Sequence, residues 1–331
     1  MEIELLPDGT EFVRLISKER EYLYNQFANR AKDAKPPVLC LNPYIDKERK
    51  VAFKCGKCLI CRYANMSKWR SRLYFESVTS EPDSVLFCTF TFNDDSLNYI
   101  LDNNISWRSL HTPILKRFRR FLDYTYGAKA RYWFAFELGS KTKRPHFHAV
   151  IFLNGIKVNN RIIYELERNW QYGFSKIESL RDSSRGMRYV AKYNVKQEFY
   201  EQDNLELGID YPKPFSMKSK ALGIKIIQWY LKHRILTDRV KINGKEWYLD
   251  RFLYNKLRLA ILSPKEIQTE KERFLENLQH TMIYFCLAQI GSLVHSSEWS
   301  VHAYCAIRDA SQGKADILRT RISSMRAKEV I

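Results

Sequence analysis

The chain reads as an α+β protein built on a split antiparallel sheet of the ferredoxin or RRM type. A cysteine-rich segment precedes the sheet and a mostly helical extension follows it. Three observations predict this. Between residues 84 and 197, stretches with apolar alternation at period two and stretches with helical spacing succeed one another in the order β-α-β-β-α-β-α. The composition, 45% apolar and 14% aromatic, supplies a genuine core and excludes wholesale disorder. Three closely spaced cysteines, Cys-x2-Cys-x2-Cys, set the N-terminal segment apart.

The elements follow in order. Residues 1–36 read as a polar helical arm, with RLISKEREYLYNQFANRAK apolar at helical spacing, ended by Pro36-Pro37. The cysteine segment spans 40–61 and a basic amphipathic helix spans 62–79. VLFCTFTF (85–92) is rich in β-branched and aromatic residues and reads as a strand. TPILKRFRRFLDYTY (112–126) reads as a helix with Thr112 as N-cap and Pro113 in the first turn. RYWFAFEL (131–138) and HFHAVIFL (146–153) are strands joined by the turn-rich GSKTKRP. NNRIIYELERNWQ (159–171) is a helix, YGFSKIESL (172–180) a strand, and DSSRGMRYVAKYNVK (182–196) a helix. Beyond Pro212 and Pro214 the pattern turns largely helical. The expected organisation is an N-terminal arm, cysteine knot and basic helix at 1–83, a catalytic domain at 84–211 and a helical domain at 212–331.

Charge narrows the class of partner. Lys and Arg number 55 against 37 Asp and Glu, a net +18, which points to a polyanion and above all to nucleic acid. The basic helix holds Arg62, Lys68, Trp69, Arg70 and Arg72, where cations for phosphates sit beside an aromatic ring for unpaired bases. LKRFRRFLDYTY (115–126) reads equally well as an amphipathic helix whose aromatics face inward. No apolar run of about eighteen residues exists, and MEIELLPDGT lacks the regions of a signal peptide. The expectation is a soluble protein that works in a cytoplasm, with no membrane partner.

RPHFHAVIF carries the first candidate site. Along a strand, His146 and His148 project to one face and Phe147 to the other. If GSKTKR forms a hairpin loop, Leu138 lies opposite Pro145 and Glu137 opposite His146, with Cβ atoms about 5 Å apart. One carboxylate and two imidazoles then meet at one point. Such a set suits Mg²⁺ or Mn²⁺ bridging to a phosphate, with Zn²⁺ as the competing ion.

YVAKYNVK carries the second. With Tyr189 at zero on a helical wheel, Tyr193 falls at about 40°, Lys192 at about 300° and Lys196 at about 340°. Met187, Val190, Ala191 and Val195 fill the opposite side. A buried stripe of two phenols and two lysines would bury charge, so the aliphatic side is the one that packs. Phenols are weak nucleophiles at neutral pH, and a neighbouring ammonium favours the phenolate. Lys192 and Lys196 either supply that field or hold a phosphate.

Cys55, Cys58 and Cys61, with Cys40 fifteen residues before them, have the spacing of a tetrahedral Zn²⁺ site, and an iron–sulfur cluster or reduced thiols are the alternatives. A metal there would position the basic helix for DNA.

Taken together, the two histidines around one bulky apolar residue and the Y-x-x-K-Y helix resemble the HUH endonucleases. The chain is similar in particular to the replication initiation proteins of microviruses, small single-stranded DNA phages, and most of all to the gokushovirus branch. CLNP followed by CGKCLICR, FCTFTFND, GSKTKRPHFHAVIF, WQYGFSKI and RYVAKYNVKQ carry the likeness from residue 40 to about 197. The resemblance implies a nickase that starts rolling-circle replication. His146 and His148, completed by Glu137, match the metal ligands, and Tyr189 and Tyr193 match the two nucleophiles. A phenolate attacks a phosphodiester of single-stranded origin DNA, forming a 5′-phosphotyrosine and leaving a 3′-OH primer. With no Walker motif in the chain, a helicase and a polymerase of the bacterial host are the expected partners. A transposase or relaxase on the same fold is the rival within this chemistry. A non-catalytic RRM-like single-strand binder is the rival outside it, and it needs stacking aromatics where this sequence puts histidines.

Overall fold

The computed structural model describes residues 2–5, 11–14, 34–81, 83–139, 142–180, 211–290 and 297–330. The predicted helix 182–196, with Tyr189, Lys192, Tyr193 and Lys196, lies outside them. So does most of the predicted N-terminal helix. Within 1–36 the chain instead forms two paired antiparallel strands, β1 (Glu2–Leu5) and β2 (Glu11–Arg14). Asp8-Gly9 between two short alternating runs is a hairpin signal that outranks helical spacing there.

The chain divides into two compact units, each assembled from separated stretches. One combines residues 1–61 with 268–317, and the other combines 62–267 with 318–331.

The larger unit is organised by a five-stranded antiparallel sheet. Its strands are β5 (Val85–Thr91), β6 (Lys129–Leu138), β7 (Pro145–Asn154), β8 (Ser175–Ser179) and β9 (Phe215–Lys218), in spatial order β8-β5-β7-β6-β9. The first four stand in the order 4-1-3-2 of a split β-α-β-β-α-β unit. The fifth strand comes from beyond Pro214, where the sequence reads as largely helical. A further hairpin, β10 (Arg239–Ile242) with β11 (Lys245–Tyr248), precedes the helices there.

Strand alternation gives the sheet two apolar faces, and helices cover both. Leu86, Cys88, Phe90, Phe134, Phe136, Phe147, Ala149 and Ile151 face Ile114, Leu115, Phe118 and Leu122 of the helix His111–Tyr126, and Ile162 and Leu166 of the helix Asn160–Arg168. On the other face Val85, Trp133, Ala135, Val150 and Phe152 pack with Trp69, Leu73 and Phe75 of the helix Leu59–Val78 and with Leu253 and Leu257 of the helix Arg251–Ile261. Burying an aromatic or aliphatic side chain of this size stabilises by about 1.5–3 kcal/mol, so Trp133 and Phe147, both fully buried, anchor one face each.

Local signals explain where elements begin. Asn159 caps its helix by accepting from the Ile162 amide at 3.0 Å. Thr112 is not an N-cap: the helix starts at His111 after a Leu110 already in the right-handed helical region, because the preceding turn leads into it. The helix Asp94–Asp102 is an element that alternation did not announce, although Asn93 caps it, accepting from Ser96 at 2.8 Å, and Asp94 and Asp95 suit its first turn. Gly173 is required where the chain enters β8: its φ is 156°, and a Cβ would stand 2.6 Å from the Thr91 carbonyl oxygen.

In the smaller unit, the hairpin Tyr44–Asp46 with Val51–Phe53 places Ala52 against Met282, Phe285 and Cys286 of the helix Pro264–Ile290 and Ala303 and Ile307 of the helix Trp299–Val330. No helix among the described residues is long and apolar enough to cross a membrane.

Candidate functional site

The β6–β7 register is the expected one. Leu138 pairs with Pro145 and Glu137 with His146, while His148 sits opposite Ala135 and opposite Thr89 of β5. The loop that sets this register is tied down at both ends. Gly139 donates its N–H to the Arg144 carbonyl at 2.9 Å, and the Arg144 guanidinium donates to Asp94 at 2.7 Å and to the Phe92 carbonyl at 2.8 Å.

Three ligand atoms converge as a result. His146 Nε2 lies 2.8 Å from Glu137 Oε1 and 2.9 Å from His148 Nε2, and His148 Nε2 lies 3.2 Å from the same carboxylate oxygen. Glu137 and His148 are buried, at 2% and 7% exposure, while His146 is half-buried. The outer nitrogens are held too. His146 Nδ1 faces the Arg144 carbonyl at 3.2 Å, an acceptor only, so this nitrogen carries the proton and Nε2 of the neutral ring presents its lone pair inward. His148 Nδ1 bonds the Thr89 hydroxyl at 3.0 Å, and its ring stacks on Phe87 at 5.7 Å. Such outer partners set the orientation of imidazole ligands.

Lone pairs crowded this closely need a cation or a proton between them. For donors ~2.1 Å from one ion, neighbouring ligand atoms stand ~3.0 Å apart in an octahedron and ~3.4 Å apart in a tetrahedron. The observed edges of 2.8, 2.9 and 3.2 Å match one face of an octahedron. The residues therefore fit a six-coordinate divalent cation with further positions left for substrate oxygen and water.

The second group of metal-ligating side chains among the described residues is Cys40, Cys55, Cys58 and Cys61. Cys40 Sγ stands 3.8 Å from Cys58 Sγ and 3.7 Å from Cys61 Sγ, and Cys55 Sγ stands 4.0 Å from Cys61 Sγ. These separations are too long for disulfides, but a tetrahedral ion with Zn–S bonds of ~2.3 Å requires S···S edges of ~3.8 Å. The fold supports thiolates here. Burial pushes the Cys55 thiol up, yet the amide N–H groups of Cys58 and Lys57, each 3.3 Å from its sulfur, outweigh burial and bring it down to about 7. Burial holds Cys40 and Cys61 above the usual thiol range. Cys40 is anchored by its own N–H, which donates to the Ser311 hydroxyl at 3.0 Å.

The basic helix is less open than its composition suggests. Trp69 and Arg72 are buried, at 8% and 5% exposure, and Arg72 Nε donates to the Leu222 carbonyl at 2.8 Å. Arg70 lies over the Trp247 ring at 5.7 Å and Arg62 is half-buried, while Lys68 is exposed. Trp69 is therefore a packing residue, with its ring taken up by the core and by cations. Sequence reasoning passed over Thr89, Phe87 and Arg144, because cross-strand neighbours become visible only once the register is known.

Over residues 85–198, a stretch that holds the triad and both tyrosines, the chain matches the family model for the phage replication-associated protein ORF2. It is 26% identical over 268 residues to Replication-associated protein ORF4 of Chlamydia phage 1, covering 71% of this chain and 64% of that protein. It is 28% identical over 190 residues to Replication-associated protein ORF2 of Spiroplasma virus 4, covering 52% of this chain and 55% of that protein. Replication-associated protein VP4 of Bdellovibrio phage phiMH2K is 28% identical over 219 residues, 61% of this chain and 66% of that protein. The likeness to microvirus replication initiators implied by the motifs is thus borne out. The chain spans between 55% and 66% of the curated relatives it matches. No solved structure matches it.

Proposed function

We propose that the protein is a rolling-circle replication initiator of the HUH type, nicking and rejoining single-stranded DNA at a phage origin. The observation that carries this reading is the octahedral-face geometry of Glu137, His146 and His148, inside the stretch that matches replication-associated proteins. Mg²⁺ or Mn²⁺ held by these three side chains would supply charge withdrawal at a phosphodiester oxygen. The protein's own groups do the rest. Arg144 and Thr89 orient the imidazoles so that both Nε2 lone pairs point to one place. Tyr189 or Tyr193, with Lys192 favouring the phenolate, attacks phosphorus; the P–O3′ bond breaks, the phosphate stays on tyrosine, and O3′ leaves as the primer hydroxyl after taking up a proton. The second tyrosine repeats the transfer on the displaced strand and closes a circle. Host helicase and polymerase complete the reaction in a bacterial cytoplasm. Zn²⁺ at Cys40, Cys55, Cys58 and Cys61 serves as a structural ion, for which the S···S edges and N–H···S bonds speak.

Single-stranded origin DNA with Mn²⁺ tests the reading. A covalent protein–DNA adduct is expected on denaturing gels, absent when Tyr189→Phe and Tyr193→Phe are combined. An adduct that persists in this double variant overturns the nucleophile assignment.

A further inference from the structure

On the same sheet face as the triad lies a lysine that neither motif nor composition singled out. Trp133, Ala135 and Glu137 share a face of β6, and β9 sets Lys218 opposite Trp133 and Ser216 opposite Ala135. Ala135 in turn pairs with His148, so Ser216 stands two strand spacings, about 10 Å, from that ligand. The Lys218 ammonium bonds the Ser216 hydroxyl at 3.3 Å and rests 4.2 Å from the Trp69 ring centroid.

The charge around it is unbalanced. Lys68 and Arg72 approach the same ring, at 5.5 and 4.8 Å from its centroid. Asp250 answers only those two, at 3.8 Å from Lys68 and 3.7 Å from Arg72, and it also caps the helix Arg251–Ile261. Lys218 has no carboxylate partner among the described residues. Burial pushes its ammonium below the usual lysine range, and Lys68 and Arg72 push the same way. Gly223, whose φ of 76° and close approach to Arg72 leave no room for a Cβ, fixes the turn after β9 and so keeps the cluster together. Three cations against one carboxylate, half out of water, make a destabilised arrangement in the free protein and a favourable one once an anion arrives.

We propose that Lys218, with Lys68 and the Ser216 hydroxyl, binds a backbone phosphate of single-stranded DNA beside the one held at the triad. The inference rests on the DNA-nicking reading for its ligand but not for its test. The contact is sequence-independent, because it reads phosphate charge alone.

A thymidine homopolymer is the probe, titrated into the full chain in EDTA across a salt series. Lys218→Met should bind about 10-fold more weakly, with the salt slope smaller by about 0.7, while Lys218→Arg stays near wild type. In the absence of DNA, Lys218→Met should melt about 2–4 °C higher, because an unbalanced buried cation is gone. Unchanged affinity and slope overturn the proposal, as does weaker binding accompanied by a lower melting temperature, which marks a structural lysine. The outcome is separable from that of the nickase reading: His146→Ala with His148→Ala keeps the homopolymer affinity in EDTA, and a wild type that never cleaves leaves the Lys218 binding result standing.

Discussion

The two ligand clusters are built on opposite plans. The Glu137–His146–His148 group joins two neighbouring strands of a rigid sheet, is held by β-ladder register, and gathers nitrogen and oxygen donors about 3 Å apart. The cysteine group draws on a loop, a turn and the first turn of a helix, and gathers four sulfurs at 3.7–4.0 Å. In the first, the backbone has already set the geometry, and three donors cannot fill an octahedron, so ligand positions remain open. In the second, four thiolates complete a tetrahedron and leave no position for a substrate. The comparison teaches that one cluster is arranged to act on something and the other to hold something.

Removing metal is the strongest way to break that contrast. Chelation, or Cys58→Ser, should release one equivalent of Zn²⁺ and put on the order of 10 kcal/mol of coupled folding free energy at stake. Hydrogen exchange should then show protection lost in 34–61 and 268–317 and retained in β5, β6 and β7. Equal loss in the sheet would erase the distinction. Next in size is the combined His146→Ala and His148→Ala change. Adduct formation should fall on the order of 1,000-fold, with Mn²⁺ binding lost by calorimetry and zinc content unaltered. A smaller change tests the outer hydrogen bond: Thr89→Val should weaken Mn²⁺ affinity about 10- to 100-fold without unfolding the sheet.

The smallest expected effect concerns pH. Burial against Tyr132 and Phe134 lowers the His111 pKa, only partly opposed by a backbone hydrogen bond with Arg108. The unfolded chain therefore binds the proton first as pH falls below about 6.5, and stability present above that value declines toward the lower folded pKa. His111→Gln should flatten the Tm profile between pH 7 and 5; an unaltered slope would show that other groups govern it.

Much of the sheet was legible because alternation survives in a short window. FCTFTF, WFAFEL and HFHAVIF each announce a strand and its two faces. The Glu137–His146 pairing could be read from the residues alone, since loop length and period two leave one register that buries the apolar face. The helix Asp94–Asp102 escaped notice because nine residues offer only two buried positions, Leu97 and Ile100. The openness of the basic helix was misjudged for a different reason. Trp69 and Arg72 look like a nucleic-acid face by composition, but the partners that bury them, Leu222 and Asp250, lie more than a hundred residues away.

By itself, the sequence determined the strand–helix order, the shared face of the two histidines, the sulfur set and the likeness to phage replication proteins. These depend on local periodicity, spacing and residue chemistry, which a linear chain carries in full. Tertiary structure alone decided that Cys40 joins the other three cysteines, that Thr89 and Arg144 orient the imidazoles, and that β9 lays Lys218 on the triad's face. Each of those arrangements brings together residues distant in the chain, and their proximity is a property of packing that no local pattern encodes.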